Sequence, residues 1–351
     1  MRSPAAVRQA CFACTTPYQI IGAAAIASAY GLQADLYIFG MFDNYLEAAA
    51  GLRTSGIFQN VYAVGHERFG VPGRLGGIVQ MLGVHREMRR VLPDSVCYET
   101  LYISSRAHAK MLLQHELQCR NPRMMTVIYE DGLGSYLPDS SVMKTSKLRR
   151  KAERLLGWKP FPPEKTRVML TQPQLADLPA ELASLTTEKQ PAADWNAYGD
   201  VLKNVFGGGA GTIGRRVIVF DICRGLYQAF ESTEAPLDAC YRVLAEVFGG
   251  ENVICKPHPR SRAVTQADIA VYENGRVPME TLYANMPDLE ERVLVCYNST
   301  AVYTPKLMFD AEPTLILLHR IVDRDADSQA ERLYRKFSRL YSRGNIFATS
   351  S

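Results

Sequence analysis

Several features that would define a protein class are missing from this sequence. No apolar run reaches the roughly 18 residues that a membrane-spanning helix needs. The net charge is only +4, and the isoelectric point of about 8.5 is lower than a dedicated nucleic-acid-binding domain would show. The eight cysteines include one Cys-x-x-Cys pair, at 11 and 14, which is too little for a four-cysteine zinc site. We therefore expect a cytoplasmic protein with reduced thiols and no nucleic-acid partner.

What the sequence does have is an alternation of short apolar runs with helical patterns. At roughly 100–200 residues per domain, 351 residues favour two domains. Buried strands separated by helices are typical of parallel sheets covered on both faces, so we expect two doubly wound α/β domains. The predicted strands are 10–14, 35–39, 61–64, 101–104 and 124–129, then 217–221, 252–256, 269–272, 293–297 and 314–318.

The domains are expected at 1–205 and 206–351, with the Pro- and Gly-rich region 171–214 as the link between them. Two further helices are predicted outside the alternating pattern. A basic helical insert lies near 143–158, and an amphipathic helix lies at 330–341. The basic insert has the composition of a helix that touches anionic lipid, although a solvated surface helix has the same pattern.

Ligands of open α/β sheets bind beside the carboxyl ends of the strands, so the loops that follow strands carry the candidate chemistry. The first such loop is Glu130-Asp131-Gly132, directly after the predicted strand 124–129. A carboxylate in this position could take a proton from a hydroxyl group. Gly132 allows a positive φ and a close approach to a ligand. An ordinary acidic turn would have the same composition.

The second loop is Lys-Pro-His-Pro-Arg at 256–260. The two prolines fix an extended backbone around His258. Lys256 and Arg260 add positive charge, which together with a histidine suits a phosphate group. The third loop contains Ser299 and Thr300, which we expect to cap a following helix and to present hydroxyl and backbone N–H groups to an anion.

Taken in order, the Glu-Asp-Gly turn, the His-Pro turn and the Ser-Thr pair resemble the motifs of bacterial sialyltransferases. Thr-Thr-Pro-Tyr-Gln at 15–19, Tyr-Glu-Asp-Gly-Leu-Gly-Ser-Tyr at 129–136 and Lys-Pro-His-Pro-Arg are most similar to glycosyltransferase family 52, the lipooligosaccharide and capsule sialyltransferase group. The resemblance extends from about residue 10 to about residue 310. It implies a GT-B fold, in which two Rossmann-like domains face a central cleft.

The resemblance also implies a role for each motif. Asp131 would be the general base and His258 the general acid or phosphate ligand. An acceptor-side domain would precede a nucleotide-sugar-binding domain. The donor phosphate or nucleotide would be bound by Lys256, Pro259, Arg260, Ser299 and Thr300, and the acceptor or sugar side would be formed by Thr16, Gln19, Glu130 and Gly132. The base could instead be a later carboxylate, Asp221 or Glu234.

The implied reaction transfers sialic acid from CMP-sialic acid to a galactoside of a bacterial surface glycan, with inversion and without a metal or other cofactor. The partners would be a nucleotide-sugar donor and a glycan or glycolipid acceptor. A peripheral contact with the inner face of an anionic membrane and a homodimeric assembly are both compatible with this reading. Two alternatives stay open: another nucleotide sugar as donor, or glycerophosphate transfer from CDP-glycerol by an enzyme of the teichoic-acid type.

Overall fold

The computed structural model describes residues 6–65, 74–94, 96–105, 108–137, 165–178, 180, 182–192, 194–207, 213–225, 231–259, 261–322 and 328–348. The predicted basic insert at 143–158 and Arg260 lie outside the described residues. The chain divides into two compact units, Met1–Val205 and Phe206–Ser351.

The first unit is a seven-stranded sheet with helices in the connections. Its strands are β1 (Ala6–Cys14), β2 (Ala34–Phe39), β3 (Asn60–Val64), β4 (Val96–Ile103), β5 (Met125–Tyr129), β6 (Thr166–Leu170) and β7 (Thr187–Lys189). Its helices are α1 (Pro17–Ala29), α2 (Tyr45–Thr54), α3 (Arg74–Val91), α4 (His108–Arg120) and α5 (Trp195–Val205).

All neighbouring strands of this sheet run parallel, in the order β3-β2-β1-β4-β5-β6-β7. The strand order reverses between β1 and β4, where Phe12 pairs with Tyr102. In a doubly wound sheet this reversal opens a crevice at the carboxyl ends of the strands, which is where ligands bind. The loops after β1, β4 and β5 therefore deserve the closest inspection.

Side-chain alternation along β1 explains how both faces of the sheet are buried. Cys11 and Ala13 belong to the core cluster that includes residues of α3 and α4. Phe12 points to the other face, where its ring stacks on Tyr102 with centroids 4.5 Å apart. Cys14 also lies on that face, with its Sγ 3.1 Å from the hydroxyl of Tyr129. The Cys11–Cys14 pair thus lies on opposite faces, as the period of a strand predicts.

The second unit repeats this architecture with six strands. They are β8 (Val217–Phe220), β9 (Val253–Lys256), β10 (Ala270–Val271), β11 (Val293–Cys296), β12 (Thr314–Leu317) and β13 (Ile346–Ala348). The strands are parallel, in the order β10-β9-β8-β11-β12-β13, and the order reverses between β8 and β11. The helices are α6 (Glu231–Phe248), α7 (Met279–Tyr283), α8 (Thr304–Phe309), α9 (His319–Val322) and α10 (Gln329–Phe337).

The predicted C-terminal amphipathic helix is present as α10, followed by a 3-10 helix at Ser338–Leu340. Its apolar side packs within the second unit, where the Phe337 ring lies 5.1 Å from that of Tyr303. Its first turn is fixed by Glu331, which pairs with buried His319 at 2.8 Å and with Arg320 at 2.9 Å. These charged contacts hold the pKa of Glu331 at about 2.

The prediction of a link at 171–214 is wrong for most of that range. Thr187–Lys189 is the edge strand β7 and pairs with β6. The helix α5 packs on α2, where the side chain of Val205 closely approaches Gly51. Pro and Gly are frequent here because β7 is short and is approached by irregular turns, not because the segment joins two domains.

No helix among the described residues is both long and apolar enough to cross a membrane. All eight cysteines are free, and Cys119 alone among them is exposed.

Candidate functional site

The Glu130–Gly132 turn leaves the carboxyl end of β5 and is held by local contacts. The backbone N–H of Asp131 donates to Ser135 Oγ at 2.8 Å, and a 3-10 helix follows at Gly134–Tyr136. Gly132 has a φ of 68°, which favours glycine. A Cβ there would meet nothing within 4 Å, so the glycine is required by backbone conformation and not by crowding.

Asp131 is half-buried at this edge, and its carboxylate is held by α1. Gln19 Nε2 donates a short hydrogen bond to Asp131 Oδ1. Burial raises the pKa of Asp131, and neighbouring Glu130 raises it further, whereas Lys110, Gln19 and Ser105 act in the opposite direction. A carboxyl group with a raised pKa and an oriented oxygen has the properties of a general base.

Glu130 is placed differently, with no exposed surface. Its Oε1 accepts from the Tyr18 hydroxyl at 2.5 Å. Its Oε2 accepts from the Tyr136 hydroxyl and, at 2.8 Å, from the backbone N–H of Thr171. Glu130 therefore ties α1, the turn after β5 and the loop after β6 together, and the sugar-side role predicted for it finds both of its oxygens already engaged.

Thr16 and Gln19 lie where the chain passes from β1 into α1. Thr16 is the N-cap of α1, and its side chain accepts from the backbone N–H of Gln19 at 3.3 Å. Pro17 occupies the first helical position, as is common at helix starts. Gln19 is buried, so its amide is directed into the turn and reaches Asp131.

Sequence reasoning missed three members of this cluster, Ser104, Ser105 and Lys110. The two serines follow β4 directly, and both accept from Lys110 Nζ, at 2.7 and 3.0 Å. Their position after a predicted strand was a usable signal. Lys110 had none, because a lysine in a helical pattern is normally a surface residue.

In the second unit, the His258 turn follows β9 directly. The His258 carbonyl accepts from the backbone N–H of Ser261 at 2.9 Å, which closes the turn. The His258 ring is half-buried and Pro259 is exposed. The side chain of Lys256 is buried instead and donates to the Gly275 carbonyl at 2.5 Å. Burial lowers the pKa of Lys256 to about 8, with Glu280 opposing the change, so Lys256 anchors the loop where a phosphate contact was predicted.

The loop after β8 is organised by Arg224, which is buried. Its guanidinium contacts Asp221 at 2.6 Å, Asp238 at 2.8 Å and Glu234 at 3.8 Å. The Tyr241 hydroxyl also donates to Asp221, at 3.1 Å. Both predicted alternative bases, Asp221 and Glu234, are thus gathered on one arginine, and Asp221 has a positioning role in place of that of a base.

This arginine cluster also holds the His258 turn. The backbone N–H of Arg224 donates to Ser261 Oγ at 3.2 Å, and the Ser261 hydroxyl donates to the Ile222 carbonyl at 3.0 Å. The Arg262 N–H donates to the Arg224 carbonyl at 3.0 Å. The loops after β8 and β9 are therefore joined beside the reversal of strand order.

Ser299 and Thr300 follow β11 at the same edge of this sheet. Ser299 Oγ accepts from the Ala301 N–H at 3.3 Å and caps a 3-10 helix at Thr300–Val302. The predicted cap is therefore correct as a contact but wrong as to the element, since the α-helix α8 begins only at Thr304. Ser299 is half-buried and Thr300 is exposed.

The described residues contain no group of three or more His, Cys, Asp or Glu that could hold a metal ion. An acidic Asp-x-Asp-x-Asp run at 323–327, which the sequence analysis did not weigh, lies outside them. Metal independence is thus an expectation from the resemblance alone.

The fold is that of a known class of two-unit α/β proteins. The solved structure of CalG4, the calicheamicin glycosyltransferase, is similar with a TM-score of 0.53 at 12% identity, over 97% of this chain and 85% of that chain. This confirms the predicted fold of two Rossmann-like units, and at such low identity the likeness concerns the fold alone.

A glycosyl transferase family 9 protein from Veillonella parvula DSM 2008 also matches, with 9% identity over 97% of this chain and 98% of that chain. Its TM-score of 0.38 is too low to support an inference. No protein-family model matches the chain, and no curated protein matches it.

Proposed function

We propose that this chain is a glycosyltransferase in which Asp131 is the general base and His258 binds the leaving phosphate of a nucleotide-sugar donor. The observation that carries the proposal is the setting of Asp131, at the carboxyl end of β5 with a raised pKa and an oxygen oriented by Gln19. The similarity in fold to a glycosyltransferase supports the same reaction class.

In this mechanism the acceptor hydroxyl loses its proton to Asp131 and attacks the anomeric carbon of the donor. The bond between that carbon and the phosphate oxygen breaks, and the nucleotide leaves with its electron pair. His258 stabilises the new negative charge by donating a hydrogen bond or a proton. Ser299 and Thr300 would add hydroxyl donors, and the turn that carries His258 is kept in place by Arg224 and Ser261.

The more specific proposal is that the donor is CMP-sialic acid and the acceptor a galactoside of a bacterial surface glycan, with inversion and without a metal. It rests on the motif resemblance in the sequence. The experiment is a thermal-shift and transfer assay with CMP-sialic acid, CDP-glycerol and UDP-sugars, each with EDTA or with added Mg²⁺ or Mn²⁺. We expect stabilisation and turnover with CMP-sialic acid in EDTA. Stabilisation by CDP-glycerol alone would favour glycerophosphate transfer, and activity only with added metal would remove the metal-free mechanism.

Substitution of the two proposed catalytic residues tests the assignment. Asp131→Asn should lower transfer roughly 10²–10⁴-fold, the usual contribution of a general base. His258→Ala should lower it roughly 10²–10³-fold, the usual loss for one donor to a developing charge. Asp200→Asn and His115→Ala are matched controls outside the candidate site and should retain activity. Full transfer by Asp131→Asn would show that the base lies elsewhere.

A further inference from the structure

Lys110 occupies a position that a lysine normally avoids. It lies in the first turn of α4 with no exposed surface. Burial disfavours an ammonium group, and the positive end of the helix dipole disfavours it again. Its three N–H groups are matched by three oxygens, at 2.9 Å to Gln19, 2.7 Å to Ser104 and 3.0 Å to Ser105. A cation held so completely inside the protein calls for a reason other than solubility.

The Gln19 amide links this cation to Asp131 in a fixed direction. Gln19 Oε1 accepts from Lys110, from the Thr15 N–H at 2.6 Å and from the Thr15 hydroxyl at 3.0 Å. Only the oxygen end of an amide can accept these bonds, so the NH₂ end must point at Asp131. A reversed amide would place two donors against an ammonium group and turn an oxygen toward a carboxylate.

We propose that Lys110, acting through Gln19, is the positioning residue that keeps the Asp131 carboxylate ionised and aimed for proton transfer. The catalytic meaning of this relay rests on the proposed function, whereas its effect on Asp131 does not. Ser104 and Ser105 complete the relay by holding the Lys110 ammonium group from the loop after β4.

The charged groups around Asp131 agree with this role. Lys110 favours the Asp131 carboxylate from α4, and Glu130 opposes it from the same turn. Cys14 on β1 and Tyr129 on β5 also interact with Asp131, and burial raises the pKa of both groups, that of Cys14 to about 12. They are therefore neutral near pH 7. Of the described groups that face Asp131, Lys110 is the one that offsets its burial.

The experiment measures the titration of Asp131 directly, by NMR of protein labelled with ¹³C at aspartate carboxyl groups. The Asp131→Asn variant assigns the signal. Lys110→Met keeps the length of the side chain and removes its charge, so the midpoint should rise by about 1–3 pH units, the usual effect of losing a close opposite charge. Lys203→Met removes a lysine charge from α5, paired only with exposed Asp200 among its printed contacts, and should leave the midpoint unchanged.

Gln19→Met is the second variant, for the case in which Lys110→Met does not fold. It leaves Lys110 with its two serines but removes the amide donor, and the midpoint should again rise. A midpoint unchanged in the folded variants would overturn the proposal. If a substrate is turned over, the acid limb of the rate profile should move with the NMR midpoint. Absence of turnover in the wild type would count against the glycosyltransferase proposal and not against the relay.

Discussion

Two adjacent carboxyl groups follow β5, and their surroundings give them different roles. Glu130 accepts from two tyrosine hydroxyls and one backbone N–H, and these contacts hold three loops together. Asp131 is half-buried, and its described hydrogen bond from another element comes from Gln19. The Glu-Asp order therefore joins a structural anchor to a candidate base within one turn.

The raised pKa of Asp131 predicts a pH dependence with a definite sign. The base is active as the carboxylate, so transfer should increase as pH rises through a value above the ordinary aspartate pKa of about 3.9. Since the folded state holds this proton more tightly than the unfolded chain, the same group should lower stability as pH rises through that range. Initial rates with saturating donor measure the first effect. A rate that is already constant at about pH 4 would contradict the prediction.

Removal of Arg224 should be costly for the second unit. Arg224→Met leaves Asp221 and Asp238 buried without their cation, and breaking such a cluster typically costs about 3–5 kcal/mol. Urea unfolding measures the loss. Arg242→Met, at an exposed position on α6, is the control and should change stability by less than about 0.5 kcal/mol. Equal effects of the two substitutions would show that the arginine cluster contributes little.

At the scale of elements, the contact between α2 and α5 depends on a small residue. A Cβ at Gly51 would lie 2.9 Å from Val205 Cγ2, whereas a Cβ at Gly199 would meet Trp195 at an ordinary 3.5 Å. Gly51→Ala should therefore destabilise the protein by about 1 kcal/mol or more. Gly199→Ala should stabilise it by about 0.5–1 kcal/mol, because alanine is the better helix former.

Urea midpoints of the two alanine variants check this prediction, provided that the slope of the transition is unchanged. Stabilisation by both variants would mean that α5 moves away from α2 at little cost.

The sequence predicted most strands and helices to within a few residues because their apolar periods are strong. It failed for Thr187–Lys189, a three-residue edge strand without a buried position, since so short a polar segment has no distinctive period. Within the candidate site, the sequence identified the strand-end loops but not their partners. Gln19 and Asp131 are 112 residues apart in the chain, and no local pattern records that they meet through Lys110.

At the scale of the whole molecule, each unit has its own sheet and its own buried cluster. Chains 1–205 and 206–351, produced separately, should therefore each show α/β circular dichroism and a cooperative urea transition. A cut at residue 170 is the control, because it removes β7 and α5 from the first unit and should lower its stability. Failure of either unit to fold alone, with the cut at 205, would contradict the prediction.

The arrangement of β-strands also bears on how the protein is synthesised. Parallel strands joined by crossovers pair segments that are far apart in sequence, which slows folding and leaves strand edges exposed for longer. All seven strands of the first sheet have been made once the chain reaches Lys189, and α5 completes the unit at Val205. The N-terminal unit can therefore acquire its structure on the ribosome before β8 emerges, which keeps its edge strands from pairing with those of the second sheet.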